Sequence, residues 1–138
     1  MAISRLNHAV LYVRDVPTST AFYRDVLGFR VKVSMGEQAV FLQAPDSTND
    51  HDLALFGLGA QAGDSTAGRS TVGMYHLAWE LGTLAELEDH LHRLAAAGAL
   101  VDDAAVEASS RIGRLDLERE KARYGADTRG GVGVSTPA

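Results

Sequence analysis

Apolar and polar positions follow a clear order of elements in the first half of the chain. A mostly apolar run at residues 6–13 predicts a strand buried in a sheet. Helical spacing over residues 18–27 predicts a helix that Asp15 or Thr18 caps and Gly28 ends. Residues 29–33 alternate apolar and basic side chains, as a half-buried strand does. Two more strands are predicted at residues 39–43 and 52–56, the first pairing back on residues 29–33 through a turn at 35–37.

The second half begins the same order again. Residues 74–81 resemble the first strand, and residues 84–97 predict an amphipathic helix that Gly98 ends. A capping box opens this helix, since Thr83 precedes Glu86 by three residues. His8 lies 20 residues before Gly28, and His76 lies 22 residues before Gly98. The chain therefore repeats one supersecondary unit, with a histidine at the same place in each copy.

Between the copies, residues 57–73 are rich in Gly, Ala, Ser and Thr. We interpret them as a linker, because they contain neither a P-loop ending nor a dinucleotide-binding glycine pattern.

Composition narrows the range of partners. A length of 138 residues suits one domain with a real core. The net charge of -5 argues against nucleic-acid binding and leaves small molecules as the expected partners. The chain has no cysteine, so any metal must be bound by histidine and carboxylate. No apolar run is long enough to span a membrane, and we expect a cytoplasmic protein.

Four segments carry a resemblance to a known family, and the most specific is Phe-Tyr-Arg-Asp-Val-Leu-Gly-Phe at residues 22–29. The others lie at residues 8–15, 51–56 and 75–80. Together they resemble the vicinal oxygen chelate superfamily, which contains glyoxalases, bleomycin-resistance proteins and extradiol dioxygenases. The resemblance implies an α+β fold of paired βαβββ modules, the first at residues 5–56 and the second starting at residues 74–101.

The resemblance also implies a metal site. In dioxygenase-like members, a histidine from the first strand of each module and a glutamate from the last strand of the second bind one ion. His8 and His76 match the two histidine positions. Such a set favours Fe(II), although Mn(II), Zn(II) or Ni(II) would also accept imidazole. A glyoxalase-type site would add a carboxylate from the fourth strand, where this chain offers only Asp52 at the strand's edge.

Other chemistry-bearing residues have simpler interpretations. His51 could line a pocket mouth, but a solvated loop position is the preferred interpretation. His90 and His92 are two apart on a helix and are predicted to face solvent. Tyr12, Phe41 and Trp79 could contact an aromatic substrate, with core packing as the default.

After Gly98, the second module lacks the pattern of later strands that the first module has. Residues 102–107 have helical or loop composition, and residues 102–138 read as a helical and irregular tail. We estimate that about 25 to 30 residues of later strands are missing, with the third ligand among them. Glu107, Glu118 and Glu120 could replace it, but their charge pattern is that of a solvated face. The shortened sheet would have an unpaired edge, which favours a homodimer.

Three functions follow from the resemblance. The first is a metal-dependent dioxygenase of the extradiol type, whose incomplete ligand set would leave it inactive. The second is a protein that binds a small molecule without metal, as resistance proteins do. The third is a glyoxalase-like lyase, which needs a carboxylate base that the sequence does not place.

Overall fold

A computed structural model describes residues 2–66, 70–74, 76–100, 106–107, 112–113 and 117–126. The chain divides into two compact units, Met1–Gly73 and Met74–Ala138. The first unit contains the larger sheet and most of the buried apolar side chains.

The first unit has the element order β-α-β-β-β. Strand β1 leads into helix α1, which continues as a π-helical segment, and three more strands follow. A short 3-10 turn, Gly59–Gln61, comes after the last strand. The bounds are β1 Ala9–Val13, α1 Val16–Ala21, the π-helical segment Phe22–Val26, β2 Arg30–Ser34, β3 Ala39–Gln43 and β4 Leu53–Gly57.

The four strands form one sheet in the order β1-β4-β3-β2. Strands β1 and β4 are parallel, with Ala9 opposite Leu53 and Val13 opposite Gly57. The other two pairings are antiparallel, and β2 carries an irregularity between Val31 and Val33. This is the βαβββ module that the sequence predicts.

One face of the sheet carries the hydrophobic core. Successive side chains of a strand point to opposite faces, so Leu53 and Leu55 of β4 share a face with Val40 and Leu42 of β3. Val16, at the start of α1, packs in the same cluster. The remaining residues around this core are Phe29, Ala9, Leu11, Val13, Tyr23, Leu27 and Ala44.

The opposite side, which we call the open face, carries Val10, Tyr12, Val33, Phe41 and Phe56. Tyr12 is 75% exposed and Val10 is 52% exposed. The prediction that residues 6–13 form a strand buried in a sheet is therefore wrong, because β1 is an edge strand of this sheet. The prediction of a half-buried second strand is also wrong. Strand β2 forms the other edge and is exposed along its whole length.

The first helix begins earlier than predicted and changes its winding. Asp15 is the N-cap, and its carboxylate accepts the Thr18 N–H at 2.7 Å. The Leu27 N–H reaches the Phe22 carbonyl at 3.4 Å, a spacing of five residues that defines a π-helical turn. Gly28 then adopts a φ of 79°, which confirms its predicted role as a left-handed helix end.

Over its described residues, the second unit contains two helices and a pair of short strands. Helix α2 spans Leu84–Ala96, close to its predicted bounds, and the Thr83 hydroxyl accepts the Glu86 N–H at its start. Lys121 donates to the Glu88 carboxylate at 2.8 Å and joins α2 to helix α3, Leu117–Tyr124. The short strands are β5 Val106–Glu107 and β6 Ile112–Gly113.

Two predictions for the second unit differ from the structure. Residues 74 and 76–81 form no strand, although their apolar pattern predicts one. A strand needs a partner for its backbone groups, and among the described residues of this unit only β5 and β6 pair. The helix-or-loop interpretation of residues 102–107 is also wrong at its end, because Val106–Glu107 pairs with Ile112–Gly113.

Candidate metal and ligand site

Two histidines meet at one end of the sheet. His8 directly precedes β1, and His51 lies two residues before β4. Because β1 and β4 run parallel, the residues before both strands lie at the same end of the sheet. The Ala9 N–H also donates to the Asp52 carbonyl at 3.0 Å, which extends this pairing by one step toward the histidines.

The two imidazole rings are in contact. Their centroids lie 4.5 Å apart with a tilt of 40° between the planes. His51 also meets Phe41 of the open face edge to face, with centroids 5.1 Å apart. Only 18% of the His51 side chain is exposed. The preferred interpretation of His51 as a solvated loop residue is therefore wrong, because its ring packs against His8 and Phe41.

Each imidazole has an oxygen atom at its Nδ1. For His8 this is the Asn7 side-chain oxygen at 2.8 Å, and for His51 it is an Asp50 carboxylate oxygen at 3.1 Å. These oxygens only accept hydrogen bonds, so each contact places the proton of the neutral ring on Nδ1. The Nε2 atom of each ring then keeps its lone pair, as it does in histidines that bind metals.

The Asn49 side chain joins the segment before β1 to the loop before β4. Its amide nitrogen donates to the Asn7 carbonyl at 2.8 Å and to the Asp52 carboxylate at 2.7 Å. Arg5 donates to the Asn49 side-chain oxygen at 2.5 Å. Asn7 and Asp52 each adjoin one of the two histidines. Asn49 therefore helps to hold both imidazoles at the same end of the sheet.

Asp52 organises the loop that carries His51. Its carboxylate accepts the Ala44 N–H at 2.8 Å and the Ser47 hydroxyl at 2.7 Å, in addition to the Asn49 amide. Burial alone would raise the pKa of Asp52, but these hydrogen bonds and the nearby His51 outweigh it and lower the pKa. Asp52 is thus a charged acceptor within the loop.

Gln43 supports the same loop from the end of β3. It is buried, and its amide nitrogen donates to the carbonyls of Ser47 and Asn49, at 3.2 and 2.6 Å. These bonds give buried polar groups their partners. The loop before β4 is therefore built from internal hydrogen bonds, which position His51.

Aromatic side chains extend from the histidine pair across the open face. Phe41 and Phe56 meet edge to face, with centroids 6.0 Å apart. Tyr12 lies opposite Phe56 in the parallel register, on the same face. Core packing is thus the wrong interpretation of Tyr12. These rings offer apolar surface and π faces to a flat ligand.

The other predicted residues lie in the second unit. His76 is exposed, and Trp79 is 40% exposed. His92 faces solvent as predicted, whereas His90 is half-buried and donates from Nδ1 to the Glu86 carbonyl at 3.0 Å. Glu118 accepts from Lys121 at 3.3 Å. Over the ranges that the structure describes, no three histidine or carboxylate side chains group together as one metal site.

A comparison with protein families identifies the chain. The model of the Glyoxalase/Bleomycin resistance protein/Dioxygenase superfamily matches residues 5–114. This chain belongs to that superfamily. The predicted resemblance is therefore confirmed, together with the α+β fold class of the βαβββ module. A comparison with curated proteins finds no match.

Among solved structures, the chain is similar to two variants of homoprotocatechuate 2,3-dioxygenase from B. fuscum, one of them in complex with HPCA. Each match has 34% sequence identity and a TM-score of 0.36. It covers 38% of this chain and 14% of the dioxygenase chain. The superfamily assignment rests on the family comparison alone.

None of the helices in the described ranges combines the length and the apolar composition that crossing a bilayer requires.

The residues at the histidine pair suit a divalent transition metal in their chemistry. Imidazole is a ligand for iron, manganese, nickel and zinc alike. His8 presents Nε2 while Asn7 orients the ring through Nδ1. The carboxylates of Asp50 and Asp52 add negative charge beside the pair. The first unit therefore has a ligand of the right type at His8.

Proposed function

We propose that this protein binds a small aromatic molecule with two neighbouring oxygen atoms, through a divalent metal ion held by His8 and His76. The reaction class is ring cleavage of the extradiol dioxygenase type, with Fe(II) as the preferred ion and Mn(II), Zn(II) or Ni(II) as alternatives. The observation that carries the proposal is the orientation of His8. Asn7 holds its Nδ1, and Nε2 keeps its lone pair at the end of the open face.

The family comparison supports this class of chemistry. The name of the matching superfamily includes both glyoxalases and dioxygenases. A bound metal would act as a Lewis acid toward both oxygens of the substrate. Extradiol cleavage adds both atoms of O2 to a catechol and breaks the ring bond beside the two oxygens, so it needs no further reductant. The place of His76 in the ligand set rests on the sequence repeat.

The open face supplies the surface for the aromatic part of the substrate. Phe41 and Phe56 are adjacent there, and Tyr12 lies beside Phe56. Edge-to-face and offset stacking would hold a flat ring on these side chains. The same strands argue against a glyoxalase-type base in β4, since Ala54 and Phe56 occupy its open face.

Binding without metal is a second candidate function. It is favoured by the aromatic side chains of the open face, which require no metal to bind a flat molecule. Tyr12 and Phe56 are accessible on that face, at 75% and 37% exposure. In this function His8 and His51 would contribute ring contacts only.

A binding experiment with 4-nitrocatechol separates the two functions. The protein is stripped of metal, and the absorbance of the probe is followed with and without Fe(II) under anaerobic conditions. We expect binding that requires Fe(II), is lost in His8→Ala and His76→Ala, and is retained in His92→Ala, the solvent-facing control. Oxygen uptake after air is admitted then tests ring cleavage.

Two outcomes would contradict the metal-dependent function. One is binding of equal strength without Fe(II), and the other is unchanged binding in His8→Ala. Either result, combined with weaker binding in Phe56→Ala, would support the second candidate.

A further inference from the structure

We propose that Asn49 is a positioning residue for His8, the proposed metal ligand. The inference rests on the proposed metal function and adds to it a residue that acts on the site through His8. Asn49 lies in the loop before β4, so it is far in sequence from the segment that carries His8. The argument comes from the hydrogen bonds that join this loop to that segment.

The first observation is that His8 lies outside the sheet. Strand β1 begins at Ala9, and residues 2–8 are all exposed. An exposed segment without ladder hydrogen bonds opens easily, and burial does not fix the direction of its side chains. The His8 ring contacts that of His51, which the loop before β4 carries. The direction of the His8 imidazole therefore depends on what attaches its segment to this loop.

The second observation is that one side chain makes this attachment. Over the part of the chain that the structure describes, every hydrogen bond from residues 2–8 to the rest of the molecule is made with Asn49. The Asn49 side-chain oxygen accepts from Arg5 at 2.5 Å, and its amide nitrogen donates to the Asn7 carbonyl at 2.8 Å. Asn49 thus holds the segment at two points, and the second is the residue just before His8.

The third observation is that Asn49 is itself held in place. Its backbone N–H donates to the Ser47 hydroxyl at 3.1 Å, and its backbone carbonyl accepts from the buried Gln43 side chain at 2.6 Å. Its amide nitrogen also donates to the Asp52 carboxylate at 2.7 Å. A residue can position a ligand only when its own conformation is fixed. Asn49 meets this condition through partners in β3 and on both sides along the loop.

These contacts form a chain that ends on the His8 ring. Asn49 holds the Asn7 backbone, and the Asn7 side-chain oxygen lies 2.8 Å from Nδ1 of His8. A group at Nδ1 fixes the tautomer and the direction of the ring, and losing such an outer contact typically weakens metal binding about 10- to 100-fold. Removing the Asn49 side chain should therefore release Asn7 and, with it, the support at Nδ1.

Calorimetric titration of the metal-free full chain with ZnCl2 tests the inference. Ser47→Ala is the matched control, because Ser47 and Asn49 donate to the same Asp52 oxygen, each at 2.7 Å, whereas only Asn49 reaches the segment before β1. We expect Asn49→Ala to weaken Zn(II) binding by about tenfold, and Ser47→Ala to change it by less than about twofold. Circular dichroism and the thermal midpoint establish that both variants are folded. Equal affinities in the two variants would overturn the inference.

A double variant tests whether Asn49 acts through Asn7. Asn7→Ala already removes the contact at Nδ1, so the further loss of Asn49 should matter less. We expect Asn7→Ala combined with Asn49→Ala to bind Zn(II) within about threefold of Asn7→Ala alone, because effects that share one contact are not additive. Losses that multiply would show that Asn49 acts by another route, and would contradict the inference.

A measurement without metal follows the His8 ring directly. The nuclear Overhauser contact between the ring protons of His8 and His51 is recorded in the metal-free protein, since the two rings are in contact. We expect this signal in the parental protein and in Ser47→Ala, and its loss in Asn49→Ala. A signal of full strength in Asn49→Ala would show that the ring keeps its place without Asn49.

The outcomes separate this inference from the proposed function. If Zn(II) binds equally well to the parental protein and to His8→Ala, the proposed metal function fails and the inference fails with it. If Zn(II) binding requires His8 but Asn49→Ala binds as tightly as Ser47→Ala, only the inference fails.

Discussion

His51 packs its imidazole against that of His8, 43 residues earlier in the chain, with ring centroids 4.5 Å apart. The parallel pairing of β1 and β4 produces this contact, because both histidines stand just before a strand of that pair. The loop before β4 is then fixed by Asn49 and Asp52. The surroundings of the His8 ring therefore depend on that loop as well as on the segment before β1.

The Asp52 carboxylate should stabilise the first unit. Asp52→Asn replaces a charged acceptor that binds the Ala44 N–H, the Ser47 hydroxyl and the Asn49 amide. We expect a loss of about 2 kcal/mol in the free energy of unfolding, because hydrogen bonds to charged groups contribute about 1.5 to 3 kcal/mol. Urea denaturation at neutral pH checks this value. The control is Asp46→Asn, since Asp46 is an exposed aspartate in the same loop, and a loss as small as that of the control would contradict the expected value.

The parental protein and Asp52→Asn should also differ in how their stability responds to acid. The pKa of Asp52 is lowered in the folded state, so its stabilising contribution is complete above its unfolded value of about 3.9. The contribution is lost as the pH falls through the folded pKa. We therefore expect the stability gap between the parental protein and Asp52→Asn to narrow below about pH 4. A gap that stays constant from pH 7 to pH 3 would rule out this linkage.

The sequence predicts the first module well because its elements are local. The boundaries of β3 match at both ends, and Gly28 ends the helix as expected. The exposure of β1 and β2 was missed, since the alternation of side chains in a strand does not reveal whether the strand is at an edge of the sheet. That property depends on the pairing order, which involves residues far apart in the chain.

The candidate site also depends on strand pairing between residues that are far apart in the chain, which the sequence pattern does not reveal. His8 stands out in the sequence because it opens a strand and has a counterpart at His76. His51 has no such repeat and lies beside an acidic loop, so its neighbours suggest solvent. The signal that could have placed it was topological: in a βαβββ module β4 pairs with β1, and Ala9 opposite Leu53 puts His51 near His8. The prediction of a strand at residues 74–81 is wrong for a related reason. An apolar pattern does not show whether another strand is present to pair with the backbone.

The core of the first module should be sensitive to loss of volume at β4. Leu55 is fully buried between the helix and the sheet, so Leu55→Ala removes buried apolar surface and leaves a cavity. We expect a loss of about 2 to 5 kcal/mol in the free energy of unfolding. The control is Leu58→Ala, since Leu58 is 48% exposed and should lose only about 0.5 kcal/mol. Similar urea midpoints for both variants would contradict this account of the core.

The end of β4 should tolerate no side chain at Gly57. A Cβ atom there would overlap the Glu37 backbone carbonyl oxygen and lie 3.1 Å from a methyl carbon of Val16. The Gly57 N–H donates to the Gln38 carbonyl at 2.9 Å, so the turn between β2 and β3 is held close to this residue. We expect Gly57→Ala to force the turn or β4 to shift, at a cost of about 1 to 3 kcal/mol in the free energy of unfolding. Gly63→Ala is the matched control because a Cβ at Gly63 meets no atom within 4 Å. Thermal unfolding of the two variants compares them directly, and a Gly57→Ala protein as stable as Gly63→Ala would show that the turn moves away without cost.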